Sequence, residues 1–268
     1  MAKTLLRYFF HIGYNGFNYH GWQNLPQTNG ENVQYIIETN LAKILKKKFG
    51  IVGCGRTDAQ VHASQFFFHV DIDKEWDFDL MFRLNKNLPP DIAVFDILAM
   101  EGTPHARFDA TARTYNYFIH TYKDPYLATI SSCYPEKDLD VTEMKRALAI
   151  LLKYDDFRPF CKNVPVDRSL LCRITKADLY FDETGDKFRI EISANRFLNG
   201  MIRIIVNKIL MIGRGEMTVA EFENILITKA KPAINRLAYP QGLHLTKVTY
   251  PYLDIPSKSA INSFTYFL

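Results

Sequence analysis

The chain has 268 residues, of which 47% are hydrophobic and 23% charged, and its formal net charge is +4 at pH 7. This length suits one large or two modest domains, and the composition is typical of a soluble globular protein. No apolar run reaches the roughly 18 residues of a membrane span, and residues 1–5 run straight into a strand pattern, so we expect no signal peptide. We therefore expect a cytoplasmic protein that does not bind a membrane.

The first hundred residues alternate between strand and helix patterns. Aromatic-rich runs predict strands, and apolar residues at intervals of three and four predict a helix that ends at Lys46-Lys47-Lys48. The positive charges of these lysines interact favourably with the helix dipole, so we expect a solvated helix end. A contact with phosphate is the alternative interpretation. The order strand, helix, strand, helix, strand indicates half of a ferredoxin-like sheet. The predicted strands span 5–13, 65–71 and 92–99, and the predicted helices begin at Asn32 and Asp79.

A polar stretch, Gly53-Cys54-Gly55-Arg56-Thr57-Asp58-Ala59-Gln60-Val61-His62-Ala63, precedes the second of these strands. Its glycines allow a sharp turn, so Arg56 and Asp58 are predicted to lie on a loop between two elements, where reactive groups are often positioned. Residue types alone favour an ordinary ion pair between Arg56 and Asp58.

The second half is predicted to begin after Gly102-Thr103-Pro104, which divides the chain into domains 1–104 and 105–268. On the strand 112–121 a period of two places Arg113, Tyr115 and Tyr117 on one face, which more often indicates packing than ligand binding. The remaining elements are a helix at 141–152, an irregular surface segment at 153–170, a hairpin of strands 172–181 and 187–194, a helix at 196–212, a helix with a capping box at Thr218 and Glu221, and a strand at 243–250.

The helix predicted at 196–212 is apolar almost all round, which is typical of a buried helix. Its polar residues recur every three or four positions and so share one stripe. Such a stripe needs water, a cleft or a partner charge, and a hydrogen-bonded seam between helices is the alternative. The stripe consists of Arg196, Asn199, Arg203 and Asn207.

Cysteine and histidine spacing does not predict a metal site. The four cysteines lie far apart without a C-x-x-C pair, so we expect free thiols and neither zinc ligands nor disulfides. No phosphate-binding loop or dinucleotide fingerprint is present. The cysteines are Cys54, Cys133, Cys161 and Cys172.

The sequence Gly-Arg-Thr-Asp-Ala-x-Val-His-Ala around Asp58 resembles the signature of the tRNA pseudouridine synthase A family. Further similar segments stand in the family's order, so the resemblance covers about the whole chain. They are Gly21-Trp22-Gln23, Asn87-Leu88-Pro89, His105-Ala106-Arg107-Phe108, Thr111-Ala112-Arg113-Thr114-Tyr115-Asn116-Tyr117, Met201-Ile202-Arg203 and Gly242-Leu243-His244-Leu245.

This resemblance implies an α+β pseudouridine synthase fold. Two ferredoxin-like (RRM-like) halves would form a mixed, largely antiparallel sheet flanked by helices, with the active-site cleft between them. It also implies isomerisation of uridine to pseudouridine in the tRNA anticodon stem-loop, near positions 38 to 40, by a homodimer that uses an aspartate nucleophile and neither cofactor nor metal. A non-catalytic RNA-binding relative and a carboxylate-nucleophile hydrolase are the alternatives, and attack at C6, attack at C1′ and elimination to a glycal all remain open.

Site residues follow from the same resemblance. It places the catalytic aspartate at Asp58 and the substrate tyrosine at Tyr115, and Arg56 and Arg203 are the cations expected to keep the carboxylate ionised. We expect an ion pair between Arg203 and Asp58. His62 is expected to shape the loop more than to act in catalysis. The residues expected to contact substrate are Tyr115, Arg113, His62, Asn199 and Leu245.

Two positions depart from the family pattern. Gln60 and Asn207 stand where the family has glycine. If position 60 requires a positive φ, a glutamine there is strained. Neither change removes a reactive group, so we expect the substitutions to affect substrate fit and rate more than activity itself.

Overall fold

The computed structural model describes residues 5–26, 30–73, 75–136, 138–164, 169–230, 232 and 235–258. Within these residues the chain forms an α+β structure of nine mostly antiparallel strands and five α-helices. The strands are β1 (Leu6–Tyr14), β2 (Val52–Gly53), β3 (His62–Ile72), β4 (Ile92–Met100), β5 (Ala112–His120), β6 (Ser132–Cys133), β7 (Ile174–Phe181), β8 (Lys187–Ala194) and β9 (Leu243–Thr249). The helices are α1 (Val33–Leu45), α2 (Leu80–Asn87), α3 (Val141–Ile150), α4 (Met201–Gly213) and α5 (Val219–Thr228).

The chain divides into two compact units. Unit 1 contains the residues up to Thr111 and the segment that begins at His244, and unit 2 contains Ala112–Leu243. The domain division predicted after residue 104 stays a prediction. None of the helices in the described part of the chain has the length and apolar character that a membrane crossing requires.

Unit 1 contains the strands and helices that the sequence predicts for half of a ferredoxin-like sheet, together with the short strand β2, which it did not predict. Strands β4, β1, β3 and β2 are antiparallel neighbours in that order, and β9 pairs in parallel with the start of β3. The two helices begin at polar caps, because the side chain of Asn32 accepts a hydrogen bond from the Tyr35 N–H and that of Asp79 from the Phe82 N–H. The α+β prediction for this half is confirmed.

Strand β3 is the centre of unit 1, and nearly all of its residues are buried. Its side chains alternate between two faces, so its aromatic run fills both. Phe68 stacks on Phe10 of β1 at 4.7 Å between ring centroids, while Phe67 contacts Tyr250 edge-on at 5.5 Å. A strand covered on both faces explains why its sequence is apolar without strict alternation.

In unit 2, β8 pairs in antiparallel fashion with both β5 and β7, and β6 runs parallel to the end of β5. The capping box predicted for α5 is confirmed, with Thr218 and Glu221 bonded reciprocally. The segment 153–170 was expected to be a surface excursion, and this is wrong for residues 156–161, most of which are buried, while most of its other described residues are exposed. Phe157 and Phe160 are fully buried, and Phe160 stacks on Phe222 of α5 at 5.6 Å, because aromatic burial outweighs the irregular backbone. Residues 165–168 lie outside the described residues.

Helix α4 is almost entirely buried, as predicted, but it begins at Met201 and not at 196. The Asn195 side chain accepts hydrogen bonds from the N–H groups of Arg173 and Arg196, and Gly200 adopts a left-handed φ of 70° immediately before the helix. These hydrogen bonds and the left-handed Gly200 prevent residues 196–200 from joining the helix, so the helix begins only at Met201. Arg196 and Asn199 therefore do not share a helix face with Arg203, and the predicted stripe is reduced to Arg203 and Asn207.

Candidate active site

The loop that carries Asp58 joins β2 to β3, as the sequence predicts, and its backbone is bonded to the segment after β1. The Trp22 N–H donates to the Thr57 carbonyl at 3.2 Å, and the Gln60 N–H donates to the Tyr19 carbonyl at 3.0 Å. Within the loop, the Val61 N–H donates to the carbonyl of Asp58 at 3.2 Å. Hydrogen bonds thus restrain the backbone on both sides of the aspartate.

Two glycines allow this close approach of the chain. A Cβ atom at Gly16 would overlap the Val61 carbonyl, and one at Gly21 would overlap the Thr57 carbonyl. Gly21 also has a φ of 89°, a conformation that other residues rarely adopt. The Gly21-Trp22-Gln23 segment is therefore required to support the loop, which gives a physical reason for its presence in the signature.

Side chains support the loop from beneath. The hydroxyls of Tyr14 and Thr57 lie 2.9 Å apart in a buried hydrogen bond, and the buried Trp22 ring packs 4.1 Å from Phe66 of β3. Asp58 itself is half-buried and Arg56 is exposed. The loop thus has a packed underside and presents its charged residues outward.

Gln60 occupies a strained backbone conformation. Its φ is 62°, in the left-handed region, where a residue with a Cβ is disfavoured. The sequence makes the strain at Gln60 depend on a positive φ at this position, and the structure has a positive φ there. The hydrogen bond from its N–H to Tyr19 is one of the contacts that hold it there.

His62 begins β3 and is buried. Its Nδ1 accepts a hydrogen bond from the Gly16 N–H at 2.9 Å, and its ring stacks on that of His244 in β9 at 4.3 Å. These contacts support the expectation that His62 shapes the loop. The substrate contact expected for Leu245 stays a prediction, and this side chain is buried one residue further along β9, where it pairs in register with Ala63.

In unit 2, Tyr115 and Arg113 lie on β5 as predicted. Tyr115 is half-buried, and its ring meets that of Phe197 edge-on at 5.3 Å. The Arg113 guanidinium donates to the Asn195 carbonyl at 3.1 Å. Tyr117, on the same face of the strand, is fully buried, so the packing interpretation is correct for Tyr117.

Arg203 lies on α4 beside a group of tyrosines. Its Nε donates to the Ala238 carbonyl at 2.8 Å, and the Ala238 N–H donates to the Arg203 carbonyl at 3.0 Å. The Tyr117 hydroxyl donates to the next carbonyl, that of Tyr239, at 2.7 Å. Burial raises the pKa of Tyr117 well above its usual value, and the positive charge of Arg203 opposes this shift.

The other polar residues predicted near α4 differ in environment. Asn199 is exposed and its carbonyl accepts a hydrogen bond from the Lys162 N–H at 2.9 Å. The Oδ1 atom of Asn207 is buried and has no hydrogen-bond partner among the described residues. A glycine at position 207 has no side-chain oxygen to bury. Asparagine in place of the family glycine therefore costs stability, because a buried hydrogen-bond acceptor is left without a partner in the part of the chain that the structure describes.

The predicted site residues thus fall four to each unit. Sequence reasoning missed several of the residues that hold them, which are Tyr14, Gly16, Tyr19, Phe197 and Ala238. Their contacts are long-range in sequence, so no local pattern signals them. Gly21, Trp22, Thr57 and His244 were identified from the sequence only as members of motifs, without their supporting contacts.

Metal ligands and disulfides are not found in the described residues. No group of three or more His, Cys, Asp or Glu side chains there could hold a metal ion. All four cysteines are free; three are buried and Cys133 is partly exposed.

Comparison with known proteins shows which family this chain resembles. The family described as tRNA pseudouridine synthase matches residues 153–251. A tRNA pseudouridine synthase A of Parabacteroides distasonis is 40% identical over 248 residues, which is 91% of this chain and 96% of the relative. Proteins of the same name from Porphyromonas gingivalis (35% over 251 residues, 92% and 98% of the two chains) and Ruminiclostridium cellulolyticum (32% over 243 residues, 89% and 97%) are also similar.

Proposed function

Because this chain belongs to the tRNA pseudouridine synthase A family, we propose that Asp58 is its catalytic residue and that uridines of the tRNA anticodon arm, in the 38–40 region, are its substrates. The protein is an isomerase that forms pseudouridine in tRNA. To this activity the proposal adds the identity of the catalytic residue, the position of the modified uridine in the tRNA and a reaction that needs no cofactor. It also includes a homodimer that holds tRNA in the cytoplasm.

The observation that carries the assignment of Asp58 is the support of its loop. Catalysis requires a reactive group held close to one position, and a misplacement of 1 Å costs roughly 100-fold in rate. Hydrogen bonds to Trp22 and Tyr19 and the close approach at Gly16 restrain the backbone on both sides of Asp58, which is itself only half-buried. A carboxylate on a rigid loop with access to solvent is suited to attack a bound nucleotide.

The reaction breaks the bond between C1′ of the ribose and N1 of uracil and forms a bond between C1′ and C5. The proton on C5 leaves and N1 gains one, so atoms balance without an oxidant or a second substrate. An ionised carboxylate can add to C6, add to C1′ or remove a proton from the ribose. Each of these routes requires Asp58 to be charged.

The other predicted residues have supporting roles in this proposal. Arg56 lies two residues before Asp58 in the same loop and provides a positive charge beside the reacting group, while the ion pair between Arg203 and Asp58 stays a prediction. Tyr115 presents a half-buried ring to the base. A uridine inside a helix must leave its stack to be reached, and Arg56, which is exposed and planar, can fill the vacated space.

The decisive experiment compares Asp58→Asn with the unmodified protein on anticodon-arm transcripts. The amide keeps the shape of the side chain but loses its charge, so pseudouridine formation is expected to fall below detection while tRNA affinity and unfolding midpoint stay unchanged. Glu31→Gln is the control, because Glu31 is an exposed carboxylate of the same unit whose surface pair with His20 contributes little. Near-normal turnover by Asp58→Asn would show that another group is the nucleophile.

The position of modification needs its own measurement. Pseudouridine is mapped in tRNA from cells with and without the gene, and loss of signal in the 38–40 region is expected. Loss at other positions with the anticodon arm intact would retain the enzyme class but reject the proposed substrate site.

A further inference from the structure

Residues 105–109 of unit 1 form a turn that is restrained by its own side chains. The Nδ1 atom of His105 accepts hydrogen bonds from the N–H groups of Arg107 at 3.1 Å and Phe108 at 3.2 Å. The carboxylate of Asp109 accepts from the His105 N–H at 2.7 Å, and the Asp109 N–H donates to the His105 carbonyl at 3.1 Å. The turn is therefore closed by four hydrogen bonds over five residues.

Neighbouring elements fix the same turn to the sheet. The Nδ1 atom of His69 in β3 accepts a hydrogen bond from the Ala106 N–H at 3.1 Å, and the Tyr250 hydroxyl donates to the Ala106 carbonyl at 2.6 Å. Burial lowers the pKa of His69 to about 4, so this imidazole stays neutral and remains an acceptor at physiological pH. The Tyr252 hydroxyl donates to Asp109 at 3.0 Å. The conformation of the turn is thus set before any ligand binds.

This restrained turn displays an exposed aromatic ring. Phe108 is 77% exposed, although one face of its ring stacks on His105 at 4.3 Å between centroids and 29° between planes. Most of the surface of the Phe108 side chain is therefore open to solvent. The Arg107 guanidinium lies 6.0 Å from the Phe108 centroid, so a positive charge accompanies the ring.

We propose that Phe108, stacked on His105 and flanked by Arg107, is a platform on which an unpaired base of the tRNA stacks, with Arg107 beside the adjoining phosphate. This inference rests on the proposed function only in taking tRNA as the substrate. An open aromatic face with a neighbouring cation is the combination that binds single-stranded nucleic acid without reading its sequence. The restraint of the turn adds to affinity, because little side-chain or backbone freedom is lost on binding.

A second copy of the chain is the competing occupant, and the composition of the turn disfavours it. The cores of protein interfaces are depleted of charged residues and need a contiguous apolar patch. Phe108 is the only large apolar side chain in the turn 105–109, and its neighbours His105, Arg107 and Asp109 are polar or charged. A nucleotide presents the flat face of its base and a backbone phosphate, which match a single ring and one cation.

The test measures the dissociation constant of full-length tRNA for Phe108→Ala, Phe108→Tyr and Phe108→Leu, with sedimentation of each protein in the absence of tRNA. Stacking on an aromatic ring predicts about a 5- to 150-fold weaker binding for the alanine variant. Tyrosine, which keeps the ring, restores affinity, and leucine, which is apolar without a π-face, does not. Tyr126→Ala, which removes an 89% exposed ring from unit 2, is the control and leaves affinity unchanged.

The salt dependence separates the ring from the cation. Phe108→Ala leaves the slope of log Kd against log salt unchanged, while Arg107→Gln lowers its magnitude by about one, as expected for one phosphate contact. Unchanged affinity of Phe108→Ala, or full restoration by leucine, overturns the platform. A shift of Phe108→Ala from dimer to monomer also overturns it and assigns the ring to a protein interface. If the unmodified protein forms pseudouridine while Phe108→Ala binds normally, the platform fails and the proposed function stands.

Discussion

The strained backbone at Gln60 gives a prediction about stability that can be worked from its geometry. A left-handed conformation costs a residue with a Cβ about 1–2 kcal/mol, and glycine avoids that cost but loses about 0.4–1 kcal/mol more backbone entropy on folding. With φ at 62° at position 60, Gln60→Gly is therefore expected to increase the free energy of unfolding, by up to about 1.5 kcal/mol. A valine at the same position, which is β-branched, is expected to lower it.

Denaturant unfolding followed by tryptophan fluorescence is the assay. Both tryptophans of the chain, Trp22 and Trp76, lie in unit 1 together with Gln60, so the signal reports the unit that carries the change. The control is Lys46→Gly, since Lys46 is exposed and has a φ of 56° at the C-terminus of α1. It should gain a similar free energy without any effect on the Asp58 loop.

The activity of Gln60→Gly separates strain from function. Glycine adopts the existing φ readily, so the Asp58 backbone should not move and turnover should stay within a small factor of the unmodified protein. A fall in the unfolding midpoint for Gln60→Gly, alongside a rise for Lys46→Gly, would refute the reasoning. It would mean that contacts of the Gln60 side chain outweigh the backbone strain.

Three further predictions concern the same unit and the substrate. His62→Asn is expected to keep most of the stability and turnover, because the Oδ1 of asparagine can replace Nδ1 of histidine as the acceptor of the Gly16 N–H. His62→Leu leaves that buried N–H without a partner and should lower the free energy of unfolding by about 1–3 kcal/mol in denaturant unfolding. Asp71, whose pKa is lowered by its hydrogen bond from Arg7, contributes stability above its unfolded pKa that is lost as the pH falls through its folded pKa. Asp71→Asn should therefore cost up to about 1 kcal/mol at pH 7 and nothing at a pH well below both values, and a constant difference across that range would contradict the ion pair. Binding of tRNA should weaken by about tenfold or more between about 50 and 200 mM salt, while base changes around the target that keep the stem-loop shape alter it much less; a flat salt response in an anisotropy titration would indicate base-edge recognition.

The sequence alone determined the order and type of most elements of this protein. Strands β1, β3 and β4 and helices α1 and α2 were predicted close to their observed bounds, because their periodicity and their caps at Asn32 and Asp79 are local properties. The loop position of Asp58 also followed from local sequence, since glycines precede it and a strand pattern follows it. These features depend on residues within a few positions of one another.

Tertiary structure decided what depends on contacts between distant residues. The start of α4 was misplaced because the Asn195 hydrogen bond to Arg173 spans 22 positions, and the burial of Phe160 depends on α5. The support of the Asp58 loop comes from Tyr19 and Gly16, some 40 positions earlier, through backbone hydrogen bonds and close approaches that leave no periodic trace in the sequence. The positive φ of Gln60 persists only because the surrounding structure holds the backbone there. The sequence therefore showed that a positive φ at this position would be strained, but only the tertiary structure decided that the φ is positive.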